Sequence, residues 1–255
     1  MNARLELKDV AVRRGAAMVL EGVNLAVHAG ELVGIVGPNG AGKTTLVRAA
    51  LGLQALEQGE ARLDGLDVRR LSPAELAQRA AYLPQERRLA WNVLALRVAS
   101  LGAVNQPQAS ADRLALDALA RVGLAHLAGR GVFDMSGGER ARVLLARLLV
   151  GKAPLLLADE LTAGLDPDAQ LMALDLMAAE ARSGAAVVLT LHDLGLAARS
   201  CGRLVVLDRG RVVADGPPQE ALSSAVLGEV FGLQGQLIET AAGLVLAARR
   251  KGEAA

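Results

Sequence analysis

The chain has 255 residues and a formal net charge of +1 at pH 7, and 52% of its residues are hydrophobic although only 2% are aromatic. This length allows one large domain or two small ones, and an aliphatic core is typical of a buried parallel sheet covered by helices. The near-neutral charge gives no basic surface of the kind that binds nucleic acid. The single Cys201 excludes an internal disulfide. No apolar run approaches the ~18 residues that span a bilayer. The single cysteine suits a reducing cytosol. The first residues lack the apolar core of a signal peptide, and we expect a soluble protein.

The N-terminal residues predict strands of two kinds. Apolar and polar residues alternate imperfectly over 5–12 and more regularly over 23–27, which predicts an antiparallel sheet with one solvated face. Residues 32–36 (LVGIV) form a continuous apolar run, which predicts a buried parallel strand. We therefore expect a small antiparallel sheet beside the core.

A glycine-rich loop follows the buried strand. Residues 37–45 (GPNGAGKTT) lead into residues 45–51, whose apolar spacing predicts a helix. In this pattern the glycines let successive N–H groups point at a phosphate, and the helix adds its positive end. Lys43 supplies a cation for the outer phosphates, and the Thr44 hydroxyl is a ligand for Mg²⁺. A simple glycine-rich turn explains the glycines but not Lys-Thr-Thr at this offset, so the loop predicts nucleoside triphosphate binding.

Alternating elements continue after this helix. Residues 60–65 predict a short strand and a turn, and Ser72 and Glu75 mark a helix start as N-cap and capping-box partner. Residues 80–84 predict a strand that is stopped by a proline, which leaves Gln85 at its exit.

The chain changes character from about residue 87 to about residue 150, where the apolar spacing is helical. We predict a helical insert there in an otherwise alternating α/β chain, with a loop over 103–111. The expected organisation is a single domain whose core is formed by about 1–86 and 151–255.

Polar residues follow the strands that are predicted in the C-terminal part. Residues 155–159 predict a buried strand with an acid at its carboxyl end, and Asp166 before a proline predicts the N-cap of the next helix. Residues 185–191 predict a further buried strand that leaves His192 at its exit, and 203–215 predict a β-hairpin. Sites in α/β sheets lie at such strand ends, so these residues are candidates for one.

Together these motifs resemble those of the ATP-binding cassette (ABC) ATPases. The glycine-rich loop resembles their Walker A motif, LLLADE (155–160) their Walker B motif, and MSGGE (135–139) their signature motif. Residues 163–166 resemble the D-loop, and His192 resembles the switch histidine. The resemblance covers nearly the whole chain, and the signature is its specific part. It implies an α/β P-loop NTPase fold with a RecA-like core sheet, an antiparallel β subdomain and an inserted α-helical subdomain.

The resemblance also implies a role for each residue of the site. Asp159 holds Mg²⁺ through a water, Glu160 takes the proton from the attacking water, and His192 hydrogen-bonds the γ-phosphate. Gln85 reaches the metal or the water through its amide. The alternatives are that Gln85 is an ordinary polar residue after a strand and that His192 is a satisfied strand-end histidine. The predicted catalytic residues are Glu160, His192 and Gln85, and the predicted Mg²⁺ ligands are Thr44, Gln85 and Asp159. The predicted ATP contacts are Gly37, Pro38, Asn39, Gly40, Ala41, Gly42, Lys43, Thr44, Thr45, Ser136, Gly137, Gly138 and Asp166.

The signature motif predicts a second copy of the chain. Ser136 and Glu139 match a capping box, but Gly137 and Gly138 are poor helix formers that a capping box alone does not explain. They expose backbone N–H groups at a positive helix end, which suits a γ-phosphate. In this family that phosphate belongs to ATP on the partner subunit, so the resemblance implies two composite sites in a head-to-tail homodimer.

Three features depart from the family pattern. Leu161 follows the catalytic Glu where Pro is usual, and Met135 replaces Leu. Arg13 and Arg14 stand where an aromatic residue usually stacks on adenine. Either guanidinium stacks on the base instead, or both are solvated charges. Without the aromatic residue we expect weak discrimination between ATP and GTP, with a preference below about tenfold, roughly 1.4 kcal/mol.

Within this family, the chain looks most like the importer ATPases for iron chelates, haem or cobalamin. The resemblance lies in residues 80–91 and 135–150 and in the short stretch after about residue 217. This resemblance implies integral-membrane permease subunits as partners, with a periplasmic or extracellular binding protein behind them. It also implies a peripheral position on the cytoplasmic face of the membrane. Two alternatives stay open, which are a soluble ABC ATPase of the iron–sulfur assembly type and the ATPase subunit of an exporter.

The segment QERRLAW joins the predicted γ-phosphate sensor to the helical insert and holds the single tryptophan of the chain. Because the glutamine is drawn to the metal site when ATP binds, this segment must move, and its composition suits an interface anchor. We expect the groove that receives a cytoplasmic permease helix to be lined by Arg87, Arg88, Leu89 and Trp91. The alternative is that Trp91 packs inside the helical insert and that the two arginines are solvated charges.

Overall fold

The computed structural model describes residues 3–86, 89–104 and 106–252. Its strands are β1 Leu5–Arg14, β2 Ala17–Val27, β3 Leu32–Val36, β4 Gln58–Leu63, β5 Leu66–Asp67, β6 Ala80–Leu83, β7 Leu155–Ala158, β8 Ala186–Thr190, β9 Arg203–Asp208, β10 Arg211–Gly216, β11 Leu233–Thr240 and β12 Gly243–Arg250. Its α-helices are α1 Lys43–Ala50, α2 Pro73–Arg79, α3 Ala95–Ser100, α4 Gln108–Arg121, α5 Gly137–Val150, α6 Pro167–Arg182, α7 Leu194–Ser200, α8 Pro218–Ala221 and α9 Ser224–Val230. Within the three described ranges, the helices are all too short or too polar to cross a membrane.

A six-stranded sheet of order β10-β9-β3-β8-β7-β6 forms the centre of the fold. β3 pairs in parallel with β8 and β9, β7 pairs in parallel with β6 and β8, and β10 is antiparallel to β9. β3, β7 and β8 are buried along their whole length, which explains their uninterrupted apolar sequences. Because these strands are parallel, the residues that follow β3, β6, β7 and β8 lie at one edge of the sheet.

A second, antiparallel sheet of order β2-β1-β4-β5 packs on one face of the central sheet. The side chains of β3 alternate between two cores. Val33 and Ile35 belong to the core shared with the antiparallel sheet and α1, whereas Leu32 and Val36 belong to the core shared with the helices. The predicted α/β fold with its antiparallel β subdomain is confirmed, and so is the predicted hairpin, which β9 and β10 form.

Helices α3, α4 and α5 pack against one another. One prediction in this part of the chain is wrong, because the expected loop over 103–111 ends earlier. α4 begins at Gln108, directly after Pro107. Ala111 and Ala115, one helical turn apart, are buried in the helical core, and this packing outweighs the polar local sequence.

The sequence analysis missed the C-terminal hairpin that β11 and β12 form. Partly buried leucines on one face of this hairpin pack against the helical core. These leucines are Leu233, Leu237, Leu244 and Leu246. The alternation of more and less exposed positions along each strand was the available signal.

Candidate nucleotide-binding site

The glycine-rich loop connects β3 to α1 at the edge of the central sheet. A Cβ atom at Gly37 would lie 2.0 Å from the carbonyl oxygen of Leu207, so a larger residue does not fit there. Gly42 is the N-cap of α1 and has a φ of 106°, in the left-handed region that favours glycine. The loop thus ends at the N-terminus of α1, where unpaired N–H groups and the helix dipole attract an anion.

Lys43 is the first residue of α1, and its side chain lies over the loop. Its Nζ donates hydrogen bonds to the carbonyl oxygens of Gly37, at 2.6 Å, and of Pro38, at 3.1 Å. Burial lowers the pKa of Lys43, while the carboxylates of Glu160 and Asp159 act in the opposite direction. A phosphate beside Nζ would add a direct anionic partner to this buried ammonium group.

An open cleft of about 800 Å³ lies beside the loop, which is a size typical of ligand sites. It brings the three predicted catalytic residues together with most of the predicted loop contacts. The cleft is lined by Arg14, Val19, Asn39, Gly40, Ala41, Gly42, Lys43, Thr44, Thr45, Gln85, Glu160 and His192. Gly37 and Pro38 line a neighbouring groove that shares Asn39 and His192 with the cleft.

The three predicted catalytic side chains meet at one carboxylate oxygen. Oε1 of Glu160 accepts a hydrogen bond of 2.7 Å from the amide of Gln85, and Nε2 of His192 lies 2.6 Å from the same oxygen. The amide oxygen of Gln85 is in turn 3.4 Å from the Thr44 hydroxyl. The Glu160 side chain is 19% exposed, so a water molecule can reach it from the cleft. A carboxylate placed in this way can act as a general base.

Asp159 follows β7 and is fully buried. Its Oδ1 accepts a hydrogen bond of 2.7 Å from the Thr190 hydroxyl, and its Oδ2 has no hydrogen-bond partner among the described residues. A buried carboxylate oxygen of this kind fits a cation, and the oxygens of Thr44 and Gln85 add the hard donors that Mg²⁺ prefers. Over the described ranges, no cluster of three or more His, Cys, Asp or Glu side chains could hold a metal by itself. The donors therefore fit a Mg²⁺ that takes its other ligands from phosphate and water.

The signature residues lie outside this cleft. The Ser136 hydroxyl caps α5 by accepting a 3.2 Å hydrogen bond from the N–H of Glu139, whose carboxylate accepts one of 2.7 Å from the N–H of Ser136. Gly137 lines a separate groove, and Asp166 caps α6 through a backbone N–H at 2.9 Å. Four predicted ATP contacts from the signature motif and the D-loop are therefore not in the cleft that the glycine-rich loop of their own chain forms. They are Ser136, Gly137, Gly138 and Asp166.

Arg13 and Arg14 have different environments. Arg13 makes a two-bond ion pair with Glu57, in which Nε and Nη2 lie 2.6 and 3.0 Å from the carboxylate oxygens. Arg14 lines the cleft. Of the two guanidinium groups, the one described at the wall of the cleft is that of Arg14. Its contact with a base and the weak preference for ATP over GTP both stay predictions.

The sequence analysis missed Thr190, the last residue of β8. Besides its bond to Asp159, its buried hydroxyl accepts a 2.7 Å hydrogen bond from the N–H of Glu160. A hydroxyl at the end of the apolar strand AVVLT was the available signal. It gave no indication of which residues the hydroxyl contacts.

Known proteins share this sequence and fold. A family model described as ABC transporter matches residues 20–163, more than half of the chain. The hemin import ATP-binding protein HmuV of Nocardia farcinica is 46% identical over 230 residues, which cover 87% of this chain and 80% of that protein. The protein of the same name from Rhodococcus jostii is 40% identical over 252 residues, which cover 96% of this chain and 86% of that protein. Among solved structures, the dimeric post-hydrolysis state of the ATP-binding cassette MJ0796 with ADP and Pi has a TM-score of 0.76 at 27% identity, over 84% of this chain and 98% of that chain.

Proposed function

The chain belongs to the ABC transporter family, and from this premise we propose that it is the ATP-hydrolysing subunit that powers the uptake of hemin, or of a chemically related iron chelate or cobalamin. The observation that carries the ATPase function is the cleft in which the loop, Lys43 and Glu160 come together. The substrate class is supported by the two relatives, which are hemin import ATP-binding proteins at 46% and 40% identity.

In this mechanism, the chain's own groups bind ATP and activate water. The loop N–H groups and Lys43 bind the phosphates, and His192 holds the γ-phosphate. Glu160 takes the proton from the attacking water. Gln85 and His192 both contact Glu160 in the described conformation, so ATP binding exchanges these contacts and frees the carboxylate for water. Mg²⁺, when bound, neutralises charge on the phosphates. Its proposed ligands are Thr44, Gln85 and, through a water, Asp159.

A second copy of the chain completes each site. Ser136, Gly137 and Gly138 lie outside the cleft of their own chain, so they are available to ATP held by a partner copy. There the N-terminus of α5 offers N–H groups and its positive dipole end to the γ-phosphate. Ala163 and Gly164 of the D-loop line the same groove as Gly137, and Asp166 ends this loop as the N-cap of α6. The cassette MJ0796 is dimeric with ADP and Pi bound, which supports a homodimer here.

The proposed partners beyond the second copy are integral-membrane permease subunits, and a periplasmic or extracellular binding protein delivers the substrate to them. The chain itself is then a peripheral protein on the cytoplasmic face of the membrane. We also propose that its core is formed by about 1–86 and 151–255, and that the helical insert of about 87–150 is the part that contacts the permease.

Uptake by reconstituted vesicles tests the function. The chain is combined with candidate hemin-permease subunits and their binding protein, and ATP-Mg²⁺ is supplied on the side that carries the chain. Iron-labelled hemin is loaded on one side of the membrane or on the other in separate preparations. We expect it to cross only toward the side that carries the chain, and only while ATP is hydrolysed. Movement in the opposite direction would support the exporter alternative. A chain that hydrolyses ATP but never associates with the membrane subunits would support the iron–sulfur assembly alternative.

The docking surface for the permease is a further prediction. Arg87 and Arg88 lie outside the described residues, Leu89 packs partly against the helical core, and Trp91 is 75% exposed. The alternative that Trp91 packs inside the insert is therefore wrong. An exposed tryptophan of this kind is typical of an interface anchor.

We expect Trp91→Ala to lower hemin uptake by at least about 30-fold, the effect of losing a 2 kcal/mol interface anchor. The ATPase rate of the isolated chain should be unchanged, because Trp91 does not line the cleft. Ile238→Ala, on the C-terminal hairpin, removes another exposed apolar side chain and is the matched control. Normal uptake by Trp91→Ala would place the docking surface elsewhere.

A further inference from the structure

Three polar or charged residues are buried among the described residues, and these are Lys43, Asp159 and Thr190. Lys43 and Asp159 belong to the proposed ATP and Mg²⁺ site. Thr190 does not line the cleft. Because a buried hydroxyl costs free energy unless it is hydrogen-bonded, the bonds that Thr190 makes indicate what its hydroxyl does.

The Thr190 hydroxyl joins two neighbouring acids. It donates a hydrogen bond of 2.7 Å to Oδ1 of Asp159 and accepts one of 2.7 Å from the N–H of Glu160. β7 and β8 are adjacent parallel strands, so a hydroxyl at the end of β8 reaches both residues that follow β7. A valine, the residue type found twice in β8, would leave both polar groups without this partner.

The bond to Asp159 acts on the proposed Mg²⁺ ligand. It satisfies Oδ1 and fixes the rotation of the carboxylate, so Oδ2 is the oxygen left to face a cation. Hydrogen bonds from outside the ligand set orient metal ligands in this way.

The bond to Glu160 acts on the proposed general base. Glu160 has a φ of 53°, in the left-handed region that residues with a side chain rarely adopt. Its N–H is held by Thr190 in this conformation, and its side chain then reaches Gln85 and His192. One hydroxyl therefore sets the geometry of both acids.

We propose that Thr190 is a positioning residue for ATP hydrolysis. Its hydroxyl orients the Asp159 carboxylate toward Mg²⁺. The same hydroxyl holds the Glu160 backbone so that the Glu160 carboxylate faces the attacking water. This inference rests on the proposed ATPase function and adds to it a residue that touches neither nucleotide nor metal.

Two variants test the hydroxyl. Thr190→Val removes it with little change of shape, and Thr190→Ser keeps it. We expect Thr190→Val to lower kcat by about 10- to 100-fold, the usual effect of losing a group that orients a metal ligand. The KM for ATP should change by less than about threefold, because the groups that bind the phosphates are intact. Thr190→Ser should stay within about threefold of the wild-type kcat.

Mn²⁺ binding gives a readout other than turnover. With a non-hydrolysable ATP analogue present, electron paramagnetic resonance should show Mn²⁺ affinity about tenfold weaker in Thr190→Val and restored in Thr190→Ser. A fluorescent ATP analogue without metal should bind equally to all three proteins, which shows that the variants are folded. If Thr190→Val does not fold, Thr190→Ala is measured in the same assays.

Wild-type kcat and Mn²⁺ affinity in Thr190→Val would overturn the positioning role and leave the ATPase function standing. Equal losses in Thr190→Val and Thr190→Ser, or a loss of metal-free nucleotide binding, would show a purely structural role and overturn it too. A wild-type chain without ATPase activity would instead contradict the proposed function, and Mn²⁺ binding would still decide the role of Thr190.

Discussion

Glu160→Gln is expected to lower kcat for ATP hydrolysis by about 10²- to 10⁴-fold, the usual contribution of a general base. The glutamine side chain has nearly the same shape but cannot take a proton from the attacking water. Nucleotide affinity should change by less than about threefold, because the proposed phosphate contacts of the loop and Lys43 are left intact. Phosphate release at saturating ATP-Mg²⁺ measures the first effect, and equilibrium binding of a fluorescent ATP analogue measures the second.

Glu229→Gln is the matched control, because Glu229 is exposed on α9, away from the cleft. It should hydrolyse ATP at the wild-type rate. If Glu160→Gln keeps more than about a tenth of the wild-type kcat, a loss below about 1.4 kcal/mol, another group accepts the proton.

Lys43→Ala is expected to weaken ATP binding by at least about 100-fold, because it removes the buried cation that we propose contacts phosphate. The wild-type chain at 100 times its dissociation constant gains about 2.7 kcal/mol of stability from ATP, and the variant should lose nearly all of this gain. The shift of the thermal unfolding midpoint on adding ATP-Mg²⁺ measures the effect.

Lys8→Ala removes an exposed lysine of β1 and is the control for Lys43→Ala. It should show the same ATP-dependent shift as the wild type. Circular dichroism of Lys43→Ala must match the wild type, since the lysine also donates hydrogen bonds to Gly37 and Pro38. A folded Lys43→Ala that still gains the full shift from ATP would place the nucleotide away from the glycine-rich loop.

The parts of the fold that were predicted correctly have local signals. β3, β7 and β8 are covered on both faces, so their apolar runs could be read directly. The capping boxes at Ser72 and Ser136 depend on residues three positions apart, and both are present. The glycine-rich loop has a local signal in its own glycines and in the helix that it starts, although the space at Gly37 is limited by the distant Leu207.

The parts that were missed depend on residues far apart in the sequence. Arg13 pairs with Glu57, 44 residues away, so the sequence alone could not separate it from Arg14. The partners of Thr190 are 31 and 30 residues before it, directly after the neighbouring strand β7. The start of α4 and the C-terminal hairpin depend on packing against the helical core, which local polarity does not indicate.

The role of the signature motif cannot be read from the geometry of a single chain. Its capping box could be predicted and is present, yet the geometry of one chain places Gly137 outside the cleft. The proposed contact of Gly137 with ATP requires a second copy. For this reason the oligomeric state, more than any contact within the chain, decides whether the mechanism is right.

Light scattering on Glu160→Gln tests most directly whether two copies enclose the nucleotide. In this variant we expect ATP to stay bound and to be hydrolysed at least about 100-fold more slowly, so the bridging nucleotide should hold the two copies together. We expect a molar mass that doubles on adding saturating ATP-Mg²⁺ and returns to the monomer value with ADP. A molar mass that stays at the monomer value with saturating ATP-Mg²⁺ would contradict it.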